Sequence, residues 1–387
     1  MSKMTLRVAI FAVVTAGLHG PSMFATTSVA VGPSTCQPSL VHFSTIQAAV
    51  SAVPLNTTIL VCPGTYPEQV VISQPMTLKG VVQGTSGAAV ITVPAGGLVL
   101  NANTTLWGPS TAQLLVENTV GVTVSDITVD GTGSGCVPGA GRTFGIEYYH
   151  VGIPVDGTAA GKIQNAVVRN QQDGCGFLVG EGGEGILSDT SFITITGNEI
   201  HNIDRSGIIV YAGRNSITAN NIQTVENGIV MESSDINTLV SQNSISNLTS
   251  NEGFTTIAAW VENGPAKLTA NTIASSTGFG YGIYSDFNTG AVATGNKVSG
   301  VTWGVVLFVA ASNLVQTNTI SNTNLGLYDS SSNGGNLLKG NTVNEAAYGV
   351  FTDATVGGDT LVPNSLYNVV VTVDPNVITD PTVNTAP

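Results

Sequence analysis

Between residues 198 and 343 an asparagine that stands two residues before an isoleucine or valine recurs at near-constant intervals, at Asn198, Asn220, Asn243, Asn271, Asn296, Asn318 and Asn341. The intervals are 22, 23, 28, 25, 22 and 23 residues. Gly followed by an aliphatic residue recurs in step, at Gly207, Gly228, Gly282, Gly304, Gly326 and Gly349, and the one coil without it reads "TTIAAW". A fixed period with strand-type alternation and no helix-length segment implies a β-solenoid. One such repeat cannot bury its own apolar face, so the stack of repeats has to create the core. Successive coils then pair as parallel strands about 4.8 Å apart. The recurring Asn is expected in the left-handed region at the bend after a strand, its amide stacking into an internal ladder.

The stretch "TILVCPGTYPEQVVISQPMTLKG", residues 58–80, extends this reading to the N-terminal half. Its three short apolar runs, separated by Pro-Gly and Gln-Pro, are the three faces of one coil. Composition agrees: charged residues are 9% and glycines number 46 of 387, as in one large all-β body with many turns. The period and length give roughly ten to twelve coils.

"FSTIQAAVSAV", "TILVCPGTYPEQVVI" and "MTLKG", followed by the Asn-x-[Ile/Val] and Gly-[Ile/Val] repeats, resemble the right-handed parallel β-helix superfamily, the pectin-lyase-like fold. The resemblance covers nearly the whole chain after its N-terminus. It implies an all-β, single-stranded right-handed parallel β-helix with an N-terminal capping helix. It implies no one activity, because that superfamily holds lyases, hydrolases, esterases, epimerases, adhesins and proteins without known activity.

The ends are expected to be specialised. Lys3, Arg7 and the apolar run Val8–Leu18 read as a signal peptide within residues 1–30, cleaved after Ala25 or Ala30. The β-helix would then occupy 31–377 and a polar tail 378–387. Ser44 and Gln47 form an S-x-x-Q capping box for a helix over 44–53, whose Ile46, Ala49, Val50 and Val53 share one face. A secreted or periplasmic destination and four cysteines imply two disulfides. Cys36–Cys62 would pin the cap helix, and Cys136–Cys175 would staple the Gly-rich insertion near 130–144 to the wall.

The net charge is −13 and nine basic residues remain once Lys3 and Arg7 are removed, so nucleic acid and anionic membranes are disfavoured partners. Copper delivery, the role of a periplasmic protein that shares this fold, would want clustered His, Met and Cys; His42, His150 and His201 lie far apart. Pectin methylesterase is set aside because no Asp stands near Thr194 to follow Gln172-Asp173. In "NQQDGCG" the second Asp of the polygalacturonase motif is replaced by Gly174.

Alternation after each register glycine points Ile209/Tyr211, Val230/Glu232, Ala258/Trp260, Tyr284/Asp286, Val306/Phe308 and Tyr328/Ser330 outward, with Glu147/Tyr149 one step earlier. Aromatics mixed with carboxylates suit sugar stacking and hydrogen bonding, so Tyr149, Tyr211, Glu232, Trp260 and Asp286 are expected to contact a polysaccharide or cell-surface glycan. Counting back three residues from Gly145, Gly176 and Gly207 puts Arg142, Asp173 and Asp204 on successive coils, with Arg205 and His201 close by. Two facing carboxylates would serve either acid–base hydrolysis or lyase chemistry, or a shared calcium at Asp173 and Asp204. A non-catalytic solenoid for adhesion, surface structure or scaffolding is the competing reading.

Overall fold

A computed structural model of the chain describes residues 27–82, 87–149, 161–172, 182–189, 192–233, 238–250, 255–330, 334–352, 359–362 and 364–373. The expected signal-peptide sites up to Ala25, the residues Cys175, Asp173 and His150, and the tail 378–387 lie outside them.

The short apolar runs stack coil on coil into a right-handed parallel β-helix. One face is a fourteen-stranded sheet that runs from Val41–Phe43 and Ser28–Val31 at one end to Thr360–Val362 at the other. Among the described residues, twenty further strands build the second and third faces. Pairing follows the repeat: Ile200, Ile222, Ile245, Ile273, Val298, Ile320, Val343 and Leu366 are successive partners in one column. Such columns interlock as a single apolar core inside the three faces. The only antiparallel pairing among the described residues joins Ala102–Thr104 to Gly108–Glu117.

The asparagine ladder forms. Each Asn Nδ2 donates to the Oδ1 of the Asn one coil on, from Asn198 through Asn220, Asn243, Asn271, Asn296 and Asn318 to Asn341, at 2.9–3.0 Å. It continues one step to Asn364 at 3.0 Å, a residue outside the Asn-x-Ile pattern because Ser365 and Leu366 follow it. The left-handed residue is the one before each Asn, such as Ala219 (φ 54°), Gln242 (φ 57°) and Ala270 (φ 54°). The bend thus belongs to the preceding position, which frees each Asn to turn its amide inward. Buried polar groups need partners, and each buried amide has them: Asn271, for example, also donates to Val240 O at 2.9 Å.

The helix is Ile46–Ala52, and its buried Ile46, Ala49 and Val50 enter the main core. Its cap differs from the expected box. Thr45 is the N-cap and accepts from Ala48 N at 3.1 Å. Gln47 pairs instead with Val71, and the Glu68 carboxylate accepts from Ile46 N (2.8 Å) and Gln47 N (2.9 Å). A carboxylate from the link between the strands Gly64–Pro67 and Val70–Ile72 therefore satisfies the helix-end donors that the local box was to satisfy. Cys36 and Cys62 are bridged, with Cα atoms 6.1 Å apart, and Cys136 is also disulfide-bonded.

Candidate functional site

Alternation along the third face sends Ile208 and Val210 into the core and Ile209 and Tyr211 outward. Register then fixes two outward columns. One runs Leu115, Glu147, Leu187, Ile209, Val230, Trp260, Tyr284, Val306, Tyr328. The other runs Glu117, Tyr149, Asp189, Tyr211, Glu232, Glu262, Asp286, Phe308, Ser330.

Trp260 was expected beside Glu232, but it pairs with Val230, and Glu262 takes the place beside Glu232. The reason lies in the coil without glycine. Gly packs closely because a Cβ at Gly228 would meet Ala258 O at 2.3 Å, so Ala258 is the residue in register with it. Counting from Ala258 places Trp260 and Glu262 outward; Glu262 was missed for want of that anchor.

The first part of the wall is roofed. The hairpin Ala102–Thr104/Gly108–Glu117 lays Ala102 and Trp107 on an outer apolar cluster of Ala112, Leu115, Phe144, Leu187, Ile209 and Val230. Trp107 stands 6.1 Å from Phe144, and Thr105 N donates to Asp189 Oδ2 at 2.6 Å. Tyr149 belongs to this covered region, between Glu117 and Asp189, rather than to an open wall. Glu147 is fully buried there and its carboxyl oxygens meet no hydrogen-bond partner. Burial, with Asp189 and Glu117 adding to it, pushes its carboxyl up to about 8.

Beyond the hairpin edge a cleft of about 160 Å³ opens. Trp107 and Trp260 stand among its walls, with Arg142, Arg205, Glu184, Asn227, Glu232 and Glu262. Arg142 and Glu184 form a buried ion pair at 3.0 Å, and the Arg142 guanidinium lies 4.8 Å from the centre of the Trp107 ring. Glu184 also accepts from Ser206 N at 2.7 Å. Burial raises Glu184 and Glu232, and Arg142 pulls each back. Glu262 rises to about 7, from burial first and then from Glu232 and Asp286 on either side. The Asn227 side chain is 4% exposed, and its Oδ1 has no partner.

Aromatic rings continue from the cleft along the wall. Trp260 is 6.2 Å from Tyr284, Tyr284 4.8 Å from Tyr281, Tyr281 4.4 Å from Trp303, and Trp303 6.1 Å from Tyr328. A second depression of about 170 Å³ includes Tyr281, Trp303 and Phe279. All four rings from Trp260 to Trp303 are partly exposed.

The structure therefore joins Arg142, Arg205, Glu232 and Trp260 in one cleft. Asp286 flanks it and is raised by burial, its carboxylate held by Tyr284. Tyr211 sits between Asp189 and Glu232. His201 does not join the group: it precedes the bend at Asn202 (φ 56°) on the second face, where it pairs in register with Arg169. The expected pairing of Asp173 with Asp204 loses its basis. The coil of Gly145 pairs with that of Gly185, since Phe144 faces Glu184 and Ile146 faces Ile186, so Gly182, not Asp173, stands three places before the register glycine. Gly182 would bring a Cβ within 3.0 Å of Arg205 and 3.3 Å of Arg142. Asp204 is half-buried and outside the cleft lining.

A family model described as "Periplasmic copper-binding protein (NosD)" matches residues 137–311 and 257–380, more than half of the chain. No curated protein matches in sequence. Among solved structures, the A-modules of the Azotobacter vinelandii mannuronan C-5 epimerases AlgE4 and AlgE6 are similar, at TM-scores of 0.58 and 0.56 and identities of 14% and 17%. Each comparison covers 88% of this chain and 94% of the other. A lacto-N-biosidase of Eubacterium ramulus gives a TM-score of 0.51 at 12% identity, over 92% of this chain and 67% of that one. At these identities the likeness shows a shared fold.

Proposed function

This chain belongs to the NosD family of periplasmic copper-binding proteins, and we propose that its own role is to bind a neutral polysaccharide along the third face of the β-helix, outside the cytoplasm. The observation that carries this is the partly exposed row of rings from Trp260 to Tyr328, which leads out of a cleft lined by carboxylates, arginines and an amide. Ring faces stack on the apolar faces of sugars, and polar groups at the edge bond hydroxyls. The cleft is smaller than a drug-sized site of ~300–1,000 Å³, which suits an open wall that holds one ring of a long chain tightly.

The net charge of −13 and the carboxylate row argue for a neutral chain over a polyanion. Both arginines of the cleft face Glu184, one of them as its ion pair, so little free positive charge is left for an acidic sugar.

Copper does not fit the described residues. Cu sites use clustered His, Met or Cys. His42 bonds Gln37 O at 3.1 Å, Cys36, Cys62 and Cys136 are in disulfides, and Met76 and Met231 are buried in the core. Among the described residues no group of three or more His, Cys, Asp and Glu could hold a metal ion. The calcium expected at Asp173 and Asp204 has lost the coil register that supported it.

Export is part of the proposal. The apolar N-terminal run and the Cys36–Cys62 bridge support it. Cleavage after Ala25 would keep the strand Ser28–Val31 whole, whereas cleavage after Ala30 would cut through it.

Affinity electrophoresis of the mature protein in gels that contain β-glucan, β-mannan, alginate or polygalacturonate tests the reading. Retardation by a neutral polymer alone is expected. Retardation only by the polyanions, or by none, contradicts it.

A further inference from the structure

Resting on that reading, we propose that the cleft also hydrolyses the neutral glycan it holds, with Glu262 as general acid and Glu232 as nucleophile. The two residues are register partners on adjacent coils, and both line the cleft. Adjacent coils lie about 4.8 Å apart. Carboxyl groups about 5–5.5 Å apart belong to retaining glycosidases, whereas inverting enzymes need ~6.5–9.5 Å for a water between them.

Position in the row assigns the roles. Glu262 has a carboxylate on both sides, Glu232 on one coil and Asp286 on the next. Three adjacent negative charges repel, and the middle group relieves most of the repulsion by keeping its proton. Burial raises both carboxyls, but Arg142 draws Glu232 back toward its charged form, whereas Glu232 and Asp286 push Glu262 further up. Asp286 is occupied by Tyr284 and lies outside the cleft lining, which leaves Glu232 as the ionised partner that faces a ligand.

A row of acids alone is no site. The second observation is Asn227, whose side chain is 4% exposed, lines the same cleft and carries an Oδ1 without a partner. A buried carbonyl oxygen costs free energy until something donates to it, and a sugar hydroxyl at this place would do so. Trp260, in the column beside the acids, supplies the ring under the sugar.

The reaction balances with water as co-reactant. The Glu232 carboxylate attacks the anomeric carbon and forms an ester as the glycosidic C–O bond breaks. The bonding pair leaves on the oxygen, which takes the proton of Glu262. The Glu262 carboxylate then removes a proton from water, whose oxygen adds to the anomeric carbon and expels Glu232. One water is consumed, one bond is cleaved, and both side chains return to their starting states.

The test uses the mature protein, hexaoses of β-1,4-glucose, β-1,3-glucose and β-1,4-mannose, and the 2,4-dinitrophenyl glycoside of whichever sugar binds. The wild type should cleave the bound hexaose with retention of anomeric configuration, read by proton NMR, and its rate should fall above about pH 7 as Glu262 loses its proton. Glu262→Gln should lower that rate about 100-fold or more, since general acid catalysis contributes roughly 10²–10⁴. It should cost far less with the dinitrophenyl glycoside, whose leaving group needs no proton. Glu232→Gln should abolish both reactions. Binding without cleavage by the wild type, inverted product, or equal losses from Glu262→Gln on both substrates overturns the catalytic pair and leaves the binding reading intact. Failure of all three hexaoses to bind contradicts the binding reading itself.

Discussion

Glu147 shows at the scale of one residue how far the fold tolerates a misplaced charge. Its carboxyl is fully buried beside Leu115 and Leu187 in the outer column and has no hydrogen-bond partner. The folded state therefore holds its proton up to about pH 8, while an unfolded chain releases it near the ordinary carboxylate value. Between those limits the unfolded state binds fewer protons, so stability falls as pH rises. Glu147→Gln keeps the shape and removes the proton. It should match the wild type in thermal midpoint near pH 4 and exceed it at pH 8.5, by on the order of a few kcal/mol in unfolding free energy. Thermal melts of both proteins across that range check this, and parallel pH curves would refute it. Glu147 was legible in the sequence as an outward residue, but its burial was not. The roof comes from the hairpin at 102–117, and the sign for that was only the run "LVLNANTTLW" between two strands.

At the scale of elements, the asparagine ladder is a polar spine inside an apolar core. Asn271 donates to Asn296 Oδ1 and Val240 O, each at 2.9 Å, and accepts from Asn243. Asn271→Ala breaks these bonds at once and strands buried partners above and below. The expected loss is about 2–5 kcal/mol, measurable by urea denaturation, with a much smaller loss for Asn324→Ala on the exposed surface. Equal losses at the two positions would mean that the ladder does not act as a connected unit. The ladder was legible because its residues share the period of the coils. The capping of the helix Ile46–Ala52 was not, because Glu68 reaches it from the link between two later strands. Local pattern reading sees the S-x-x-Q box, and only tertiary structure brings in the competing carboxylate.

For the whole molecule, the period alone determined most of the architecture, and two errors in the site came from places where the period breaks. Where the glycine column holds, Glu232 and Asp286 were put in the right columns; where Ala258 replaces glycine, Trp260 slipped by two residues and Glu262 went unseen. Where the insertion after Gln171 intervenes, Gly185 and not Gly176 is the register glycine, so the coil count that linked Asp173 to Asp204 loses its basis, Asp173 itself lying outside the described residues. The remaining site is a consequence of stacking: coils place Trp260, Glu232 and Glu262 side by side, and a hairpin from an earlier coil brings Trp107 to the same cleft. Affinity for a neutral glycan should therefore depend on the Trp260 ring in the wall of that cleft. Isothermal titration of the mature protein with a hexaose of the neutral polymer that retards it, compared with Trp260→Ala, measures this directly. The account predicts one site per chain and a loss of at least about tenfold on removing the ring, with the thermal midpoint little changed because Trp260 is partly exposed. Unchanged affinity in Trp260→Ala would place the glycan elsewhere and contradict the account.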